Sequence, residues 1–282
     1  MSSVSIFENG NVFQLKGTRS ETNTNTIRGQ VQGFSYKSRK RIMQTVAKIN
    51  TAKVHGKPLF ITLTYPDSYS HDSNIWKNDL SKFVKTFNRK YSNIVLIWRL
   101  EFQKRGAPHF HVIAFNTNKT SFLPGLKSMR EFISDNWYRS VGSCDVKHLS
   151  AGTDVSLIKS WRGVTHYVSK YISKTVQSYL FPDANCFNGR HWGIYNREYL
   201  PIDEITIDID EEEFNYLRRI ARRYLEHKTG HNCFFYSGSS GILIYIDYDT
   251  AFRLLEYSNH NKTLRNDTDI THLTRRLERK LP

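Results

Sequence analysis

The stretch "NIVLIWRLEFQKRGAPHFHVIAFN", residues 93–116, decides the fold. Two runs rich in β-branched and aromatic residues, 93–102 and 109–116, flank "QKRGAP", a turn holding both Gly and Pro. The pattern predicts two antiparallel strands joined by a tight hairpin. Side chains at i and i+2 of a strand share a face, so His109 and His111 project together. Phe110, Val112 and Ala114 then point to the other side. If the strands pair symmetrically about Arg105, Glu101 stands opposite His109 on the same face. Trp98, Leu100 and Phe102 fall on the apolar face. Two imidazoles and a carboxylate so placed form a mixed N/O set able to hold a divalent cation with open positions. The same residues also suit two satisfied, half-buried histidines beside a surface carboxylate.

Working outward, "PLFITLTYP" (58–66) is a strand bounded by prolines. Apolar residues at Trp76, Leu80, Phe83, Val84 and Phe87 have helical spacing within 74–90, as do Leu126, Met129, Phe132, Ile133 and Trp137. "SCDVKHLS" (143–150) reads as a further strand and 164–177 as a third helix. Helices alternate with strands, but the tight hairpin excludes a purely parallel sheet. The fold class is therefore α+β, a central antiparallel sheet flanked by helices. Upstream, residues 1–35 are polar and read as an irregular or weakly stranded arm, and "SYKSRKRIMQTVAKIN" (35–50) as a helix with a cationic start. Beyond 177 the pattern loosens into an acidic segment (201–214), a basic helix "LRRIARRYLEHK" (217–228) and a hairpin-like run (233–248). Three regions result. Residues 1–50 are an arm with a basic helix, 51–193 a core with its flanking segment, and 194–282 a C-terminal extension, read as a DNA-binding or host-interaction lobe.

Charge narrows the partners. Lys and Arg number 41 against 26 Asp and Glu, a formal +15 in 282 residues, which points to a polyanion and first to nucleic acid. No run approaches the roughly 18 apolar residues of a membrane span, so no membrane partner is expected. The N-terminus has no basic segment followed by an apolar one, and the three cysteines are isolated and odd in number. An intracellular, cytoplasmic protein is expected.

"THYVSKYISK" (165–174) carries the second constellation. On a helix Tyr167, Lys170, Tyr171 and Lys174 fall within about 100° of the circumference, while Val168, Ile172 and Val176 cluster on the opposite side as an anchor. A phenol ordinarily ionises only near pH ~10, so it needs an electropositive setting to act as a nucleophile, and the two lysines supply one. The plainer alternative is a helix with packed rings and solvated lysines. Taken with the histidine pair, the chemistry becomes one reaction. A polarised phosphodiester is attacked by tyrosine, leaving a 5′-phosphotyrosine and a free 3′-hydroxyl.

"FITLTY" (60–65), "PHFHV" (108–112) and "YVSKYISK" (167–174) occur in the order of the three motifs of the HUH (His-hydrophobic-His) endonucleases. The chain resembles the two-tyrosine rolling-circle replication initiators (Rep) of single-stranded DNA phages and related plasmids. "RGQVQGFSYKSRKR" (28–41) and "GRHWG" (189–193) resemble stretches flanking those motifs, so the likeness covers about 28–193. The resemblance implies an RRM-like topology for the core. It implies Mg²⁺ or Mn²⁺ on His109 and His111 with Glu101 as third ligand, a role that Asp145 or His148 could also take. Tyr167 and Tyr171 match the nucleophile pair, and Lys170 and Lys174 the accompanying lysines.

The expected substrate is single-stranded DNA at a replication origin. Lys37, Arg39, Lys40 and Arg41 near Tyr36, with Lys104 and Arg105 at the hairpin tip, are its candidate contacts, through phosphate neutralisation and base stacking. No G-x-x-x-x-G-K-[ST] motif occurs, so unwinding and synthesis would fall to a host helicase and a host DNA polymerase. A plasmid relaxase or single-strand transposase would share the chemistry. A passive basic nucleic-acid binder would explain the charge alone. A two-His-one-carboxylate iron oxygenase leaves the charge unexplained.

Overall fold

Leu59, Ile61 and Leu63 are buried while Thr62 and Thr64 between them are half-exposed, and that alternation sets the two faces of the larger sheet. The computed structural model describes residues 1–17, 34–119, 125–161, 164, 168, 190–231 and 241–260. The chain divides into two compact units: Thr26–Val46 with Thr51–Pro201, and Met1–Asn25 with Ala47–Asn50 and Ile202–Pro282. In chain order the elements begin with β1 (Ser2–Phe7), β2 (Phe13–Lys16), α1 (Tyr36–Ala47), β3 (His55–Thr64), α2 (Ser73–Lys90), β4 (Ile94–Phe102) and β5 (Pro108–Asn116). They continue with α3 (Leu126–Val141), α4 (Val146–Ala151), β6 (Thr153–Leu157), β7 (Trp192–Tyr195), β8 (Glu204–Ile209), α5 (Glu211–Thr229), β9 (Gly241–Ile244) and α6 (Tyr248–His260).

In the first unit five strands run in the order β6-β3-β5-β4-β7, each pair antiparallel. Mixed α and β with helices flanking an antiparallel sheet is the expected class. One face is apolar throughout. Leu96, Trp98 and Leu100 of β4 and Phe110, Val112 and Ala114 of β5 join the β3 residues in a core. Helix α2 seals it with Trp76, Leu80, Phe83, Val84 and Phe87, at the 3–4 residue spacing that keeps one helical face inward. Helix α3 adds Met129, Ile133 and Trp137, and Asn136 donates to the Phe83 carbonyl at 2.9 Å, tying the two helices. The Asp72 side chain caps α2 by accepting from the Asn74 amide, and Gly142, at φ 67°, ends α3 in the left-handed region.

One expectation fails here. Residues 143–150 are not a strand. Asp145 accepts from the Lys147 amide and caps the short helix α4, so local side-chain capping overrides the β-branched signal, and the strand follows at β6. Asp145 and His148 therefore sit on a helix. Of the expected 164–177 helix, Val164 and Val168 are helical and buried, and the remaining positions lie outside the described residues.

The second unit is a four-stranded antiparallel sheet, β8-β1-β2-β9. Val4, Ile6, Phe13 and Leu15 alternate inward and meet Phe214, Leu217, Ile220 and Ala221 of α5 with Ala251, Leu254 and Leu255 of α6. Of the segment read as an irregular or weakly stranded arm, the first seventeen residues hold two fully paired strands. Their Ser, Asn and Gly content masks a short apolar alternation, and their outer partners lie some 200 residues away in sequence. Helix α5 starts in a capping box formed by Asp210 and Glu213. Of the hairpin expected over 233–248, Gly241–Ile244 is a strand, and 233–240 lie outside the described residues.

Phe83 has no exposed surface and touches both Phe87 and Trp137 in tilted and edge-on contacts. Phe83→Ala is expected to cost about 3–5 kcal/mol through lost burial and a residual cavity. Urea unfolding with an unchanged m-value measures it.

Candidate functional site

The β4–β5 register is symmetric about Arg105: Glu101 pairs with His109, and Arg99 with His111. A tight turn enforces it. The Gly106 amide donates to the Gln103 carbonyl and the Gln103 amide to that of Ala107, with Gly106 at φ 79°, a conformation that favours glycine. The hairpin tip is latched to the loop after β3. The Arg105 guanidinium donates to the carbonyls of Tyr65 and Pro66 and lies over the Tyr69 ring, whose hydroxyl donates back to the Arg105 carbonyl.

The polar face of this sheet is a continuous row. Asp154, Thr62, His111, Arg99 and Trp192 stand side by side on β6, β3, β5, β4 and β7. One step along, Thr64, His109 and Glu101 repeat the pattern. The His109 and His111 rings are 4.6 Å apart between centroids. His109 Nδ1 lies 3.0 Å from the Thr64 hydroxyl, which leaves Nε2 as the nitrogen not used in that contact. Burial first, then His111, pushes the His109 imidazolium down to about 4; Glu101 pulls the other way, and Arg105 adds a smaller downward push. The ring is neutral near pH 7 and keeps a lone pair for a ligand. His111 stacks on Phe60 at 5.6 Å, and its Nε2 is 3.2 Å from Glu101 Oε2.

Glu101 is shared. Its other carboxylate oxygen lies 2.9 Å from Arg99 Nη1. Two imidazoles and a carboxylate fit a divalent cation in kind. As the side chains stand, among the described residues no three His, Cys, Asp or Glu groups are gathered closely enough to hold a metal ion.

Arg99 was not anticipated, although it shares strand parity with Glu101 two residues on. It is buried, and desolvation pulls its guanidinium below the usual range, countered by Glu101 and reinforced by Arg39. Phe34 lies between these two arginines, 4.6 Å from Arg99 and 5.8 Å from Arg39. Of the basic residues expected to meet DNA, Arg39 is thereby brought toward the histidine face. Lys37, Lys40, Arg41 and Lys104 are exposed, and Arg105 is committed to the β3 loop.

Thr64 was also missed. Its carbonyl accepts from Trp137 Nε1 and His148 Nε2, both at 2.8 Å, its amide donates to Gly152, and its hydroxyl meets His109. His148 is thereby engaged away from the histidine pair's ligand side. Trp161 packs edge-on against Phe115 at 5.3 Å, on the face that carries the histidines. Tyr167, Lys170, Tyr171 and Lys174 lie outside the described residues.

Residues 58–176 match the ORF2-type family of replication-associated proteins. Over that stretch the chain is similar to those proteins. The resemblance read from the motifs agrees with that match. A replication-associated protein of Pseudomonas phage Pf3 is 29% identical over 207 residues, 70% of this chain and 69% of that protein. A Xylella fastidiosa (strain Temecula1) sequence named as a replication protein is 27% identical over 212 residues, 71% of this chain and 76% of its own length. A counterpart from strain 9a5c is 26% identical over 194 residues, 66% and 64% respectively. The stretch matched to the family contains Glu101, the histidine pair and both tyrosines.

Within the "GRHWG" segment, which follows the family stretch, strand β7 lies beside β4. The Leu100 amide donates to the His191 carbonyl at 2.7 Å. Gly193 is needed because a Cβ there would come within 2.8 Å of the Trp98 indole nitrogen. His191 is 5% exposed, and burial first, then Arg99 and Lys77, hold its imidazolium down to about 4. Unfolded, it titrates near ~6.5. The unfolded chain therefore takes up a proton that the native one refuses. Stability present above about pH 6.5 is lost as pH falls toward 4, by on the order of 2–3 kcal/mol from this group. His191→Gln is expected to flatten the fall in urea midpoint between about pH 7 and pH 4.5. An unchanged slope would show that the buried ring is not the source.

Proposed function

We propose that this chain is a rolling-circle replication initiator that nicks and rejoins single-stranded origin DNA through a tyrosine nucleophile. The observation that carries the reading is the cross-strand placement of Glu101, His109 and His111 on one polar sheet face. Trp161, six residues before Tyr167, packs on that same face. The family match and the replication proteins it resembles support the same role in general. The succession β3-α2-β4-β5-α3-β6, with β6-β3-β5-β4 as spatial order, supports an RRM-like topology for the core.

In this reading His109 and His111, with Glu101 turned toward them, hold Mg²⁺ or Mn²⁺. When bound, the cation supplies Lewis-acid polarisation of the scissile phosphate. The protein's own residues do the rest. Thr64 fixes the His109 ring, and neutral imidazole at that position keeps the ligand lone pair available at pH 7. Arg99 holds Glu101 on the polar face and places positive charge beneath the site. Tyr167 or Tyr171 loses its phenolic proton to solvent, and its oxygen attacks phosphorus. A phosphorus–tyrosine bond forms as the phosphorus–O3′ bond breaks, and the departing 3′ oxygen takes up a proton. Lys170 and Lys174 favour the phenolate and the charge developing on phosphate. The phosphodiester energy is kept in the covalent link, so the released 3′-hydroxyl can reverse the step. With two tyrosines one can cut while the other holds a strand. Origin DNA is the partner in the host cytoplasm, with a host helicase and polymerase completing replication.

The test is a denaturing gel of the protein incubated with labelled single-stranded origin DNA and Mn²⁺. A protein–DNA adduct is expected that EDTA abolishes, that survives Tyr167→Phe or Tyr171→Phe singly, and that the double change eliminates. An adduct insensitive to both tyrosines would sink the assignment. Thr64→Val, which keeps shape and removes the hydroxyl, is expected to lower the rate of adduct formation about 10–100-fold at limiting Mn²⁺. Raising the Mn²⁺ concentration should restore part of that loss.

A further inference from the structure

Helix α5 places four arginines, Arg218, Arg219, Arg222 and Arg223, within six residues. At 100° per residue, Phe214, Leu217, Ile220 and Ala221 define one face, and all four are buried against β1, β2 and α6. The arginines fall on the other side. Arg219 and Arg222 are exposed and Arg218 and Arg223 half-exposed, with Asn215 exposed among them. Asn215, Arg218, Arg219 and Arg222 follow the i, i+3, i+4, i+7 spacing of a single helical stripe, and together they line an open recess of about 420 Å³.

Most of the acidic residues of the helix lie one turn or more before the arginines. Glu211, Glu212 and Glu213 occupy the first turn, where carboxylates offset the helix dipole, and Glu213 is held in the capping box. Glu226 lies one turn past Arg222 on the same side of the helix and forms an ion pair with it at 3.7 Å. The two middle turns are therefore cationic, and they contain Arg rather than Lys. A planar guanidinium fork matches phosphate oxygens in pairs. A rigid helix with such a face and an adjacent amide side chain has the dimensions that a DNA major groove admits. A single strand is better served by stacking rings interleaved with charge. The rings of this helix, Phe214, Tyr216 and Tyr224, pack against the core of their own unit, and of the four arginines Arg219 lies over one of them, Tyr216, at 5.9 Å.

We propose that the arginine face of α5 is a docking surface for the phosphate backbone of duplex DNA, separate from the histidine-bearing face that receives the strand to be cut. The inference rests on the reading of the chain as an origin-nicking initiator, and it supplies what that reading lacks, a means of holding the duplex from which the strand is drawn.

The test compares the full chain with a variant carrying Arg218→Gln, Arg219→Gln and Arg222→Gln, and with a control carrying Lys127→Gln and Arg139→Gln on α3. Glutamine keeps helix propensity, and a far-ultraviolet melt checks that the fold is retained. Binding to a fluorescein-labelled duplex of about 20 base pairs is read by anisotropy between about 50 and 200 mM NaCl. Each phosphate contact contributes about 0.9 to the slope of log K against log salt. Loss of three lowers the slope by about 2.7, so the affinity change across that salt range becomes about 40-fold smaller. The control should match the unaltered chain. A duplex affinity and slope unchanged in the triple variant would overturn the proposal. So would an equal loss of binding to a single strand of the same length, which would mark a general polyanion surface.

Adduct formation on single-stranded origin DNA, measured on the same preparations, separates the two claims. Loss of duplex binding with adduct formation retained supports the docking surface. Absence of any adduct from the unaltered chain defeats the nicking reading, while the duplex measurement still decides the role of α5.

Discussion

The pairing of β4 with β5 is the constraint on which everything else rests. Side chains alternate with a period of two, so a slip of one residue would send His109 and His111 into the apolar core and Phe110 and Val112 into solvent. The register is held from both ends. Gly106 closes the turn in a left-handed conformation, and the apolar face meets α2 and α3 through residues with almost no exposed surface. Arg105 adds a third restraint by anchoring the tip to the loop after β3. Packing energy on one face of the sheet thereby fixes the chemistry on the other.

Thr64 shows how closely the two faces are coupled. Its backbone carbonyl receives Trp137, the largest fully buried side chain of the core, and its hydroxyl meets His109. A disturbance of α3 therefore reaches the imidazole through one residue. Glu101 is coupled in the other direction, through Arg99, to Phe34 and Arg39 just before and within α1. The basic helix and the carboxylate share one electrostatic circuit, so phosphate drawn toward Arg39 would also alter the hold on Glu101.

Much of this was legible in the residues. Hairpin, face and Glu101–His109 pairing all follow from period-two alternation and a Gly-containing turn, signals confined to residues 93–116. Helices α2 and α3 were legible for the same reason, their apolar residues recurring at helical spacing. The strands β1 and β2 were not, because their apolar alternation is only two residues deep on each strand and their outer partners are β8 and β9. Residues 143–150 misled because Val146 and Cys144 suggest a strand while Asp145, a single capping side chain, decides for a helix. Arg99 carries no motif, and Thr64 and His191 stand in motif stretches that assign them no role. Their roles come from what lies across the sheet, which a linear reading supplies only once the strand order is known.

The second unit has a consequence for how the protein comes into being. Its central strands, β1 and β2, are made before the larger sheet, yet the strands that flank them, β8 and β9, are made after it. At roughly 5–20 residues per second, the opening hairpin waits on the order of 10–40 s for β8 to appear. Throughout that interval Val4, Ile6, Phe13 and Leu15 have no lid, and the hairpin has two open edges. The residues of the larger sheet are all synthesised within this window and can pair among themselves. The nascent chain thus passes through a stage with its larger sheet assembled and the β1–β2 hairpin still uncovered.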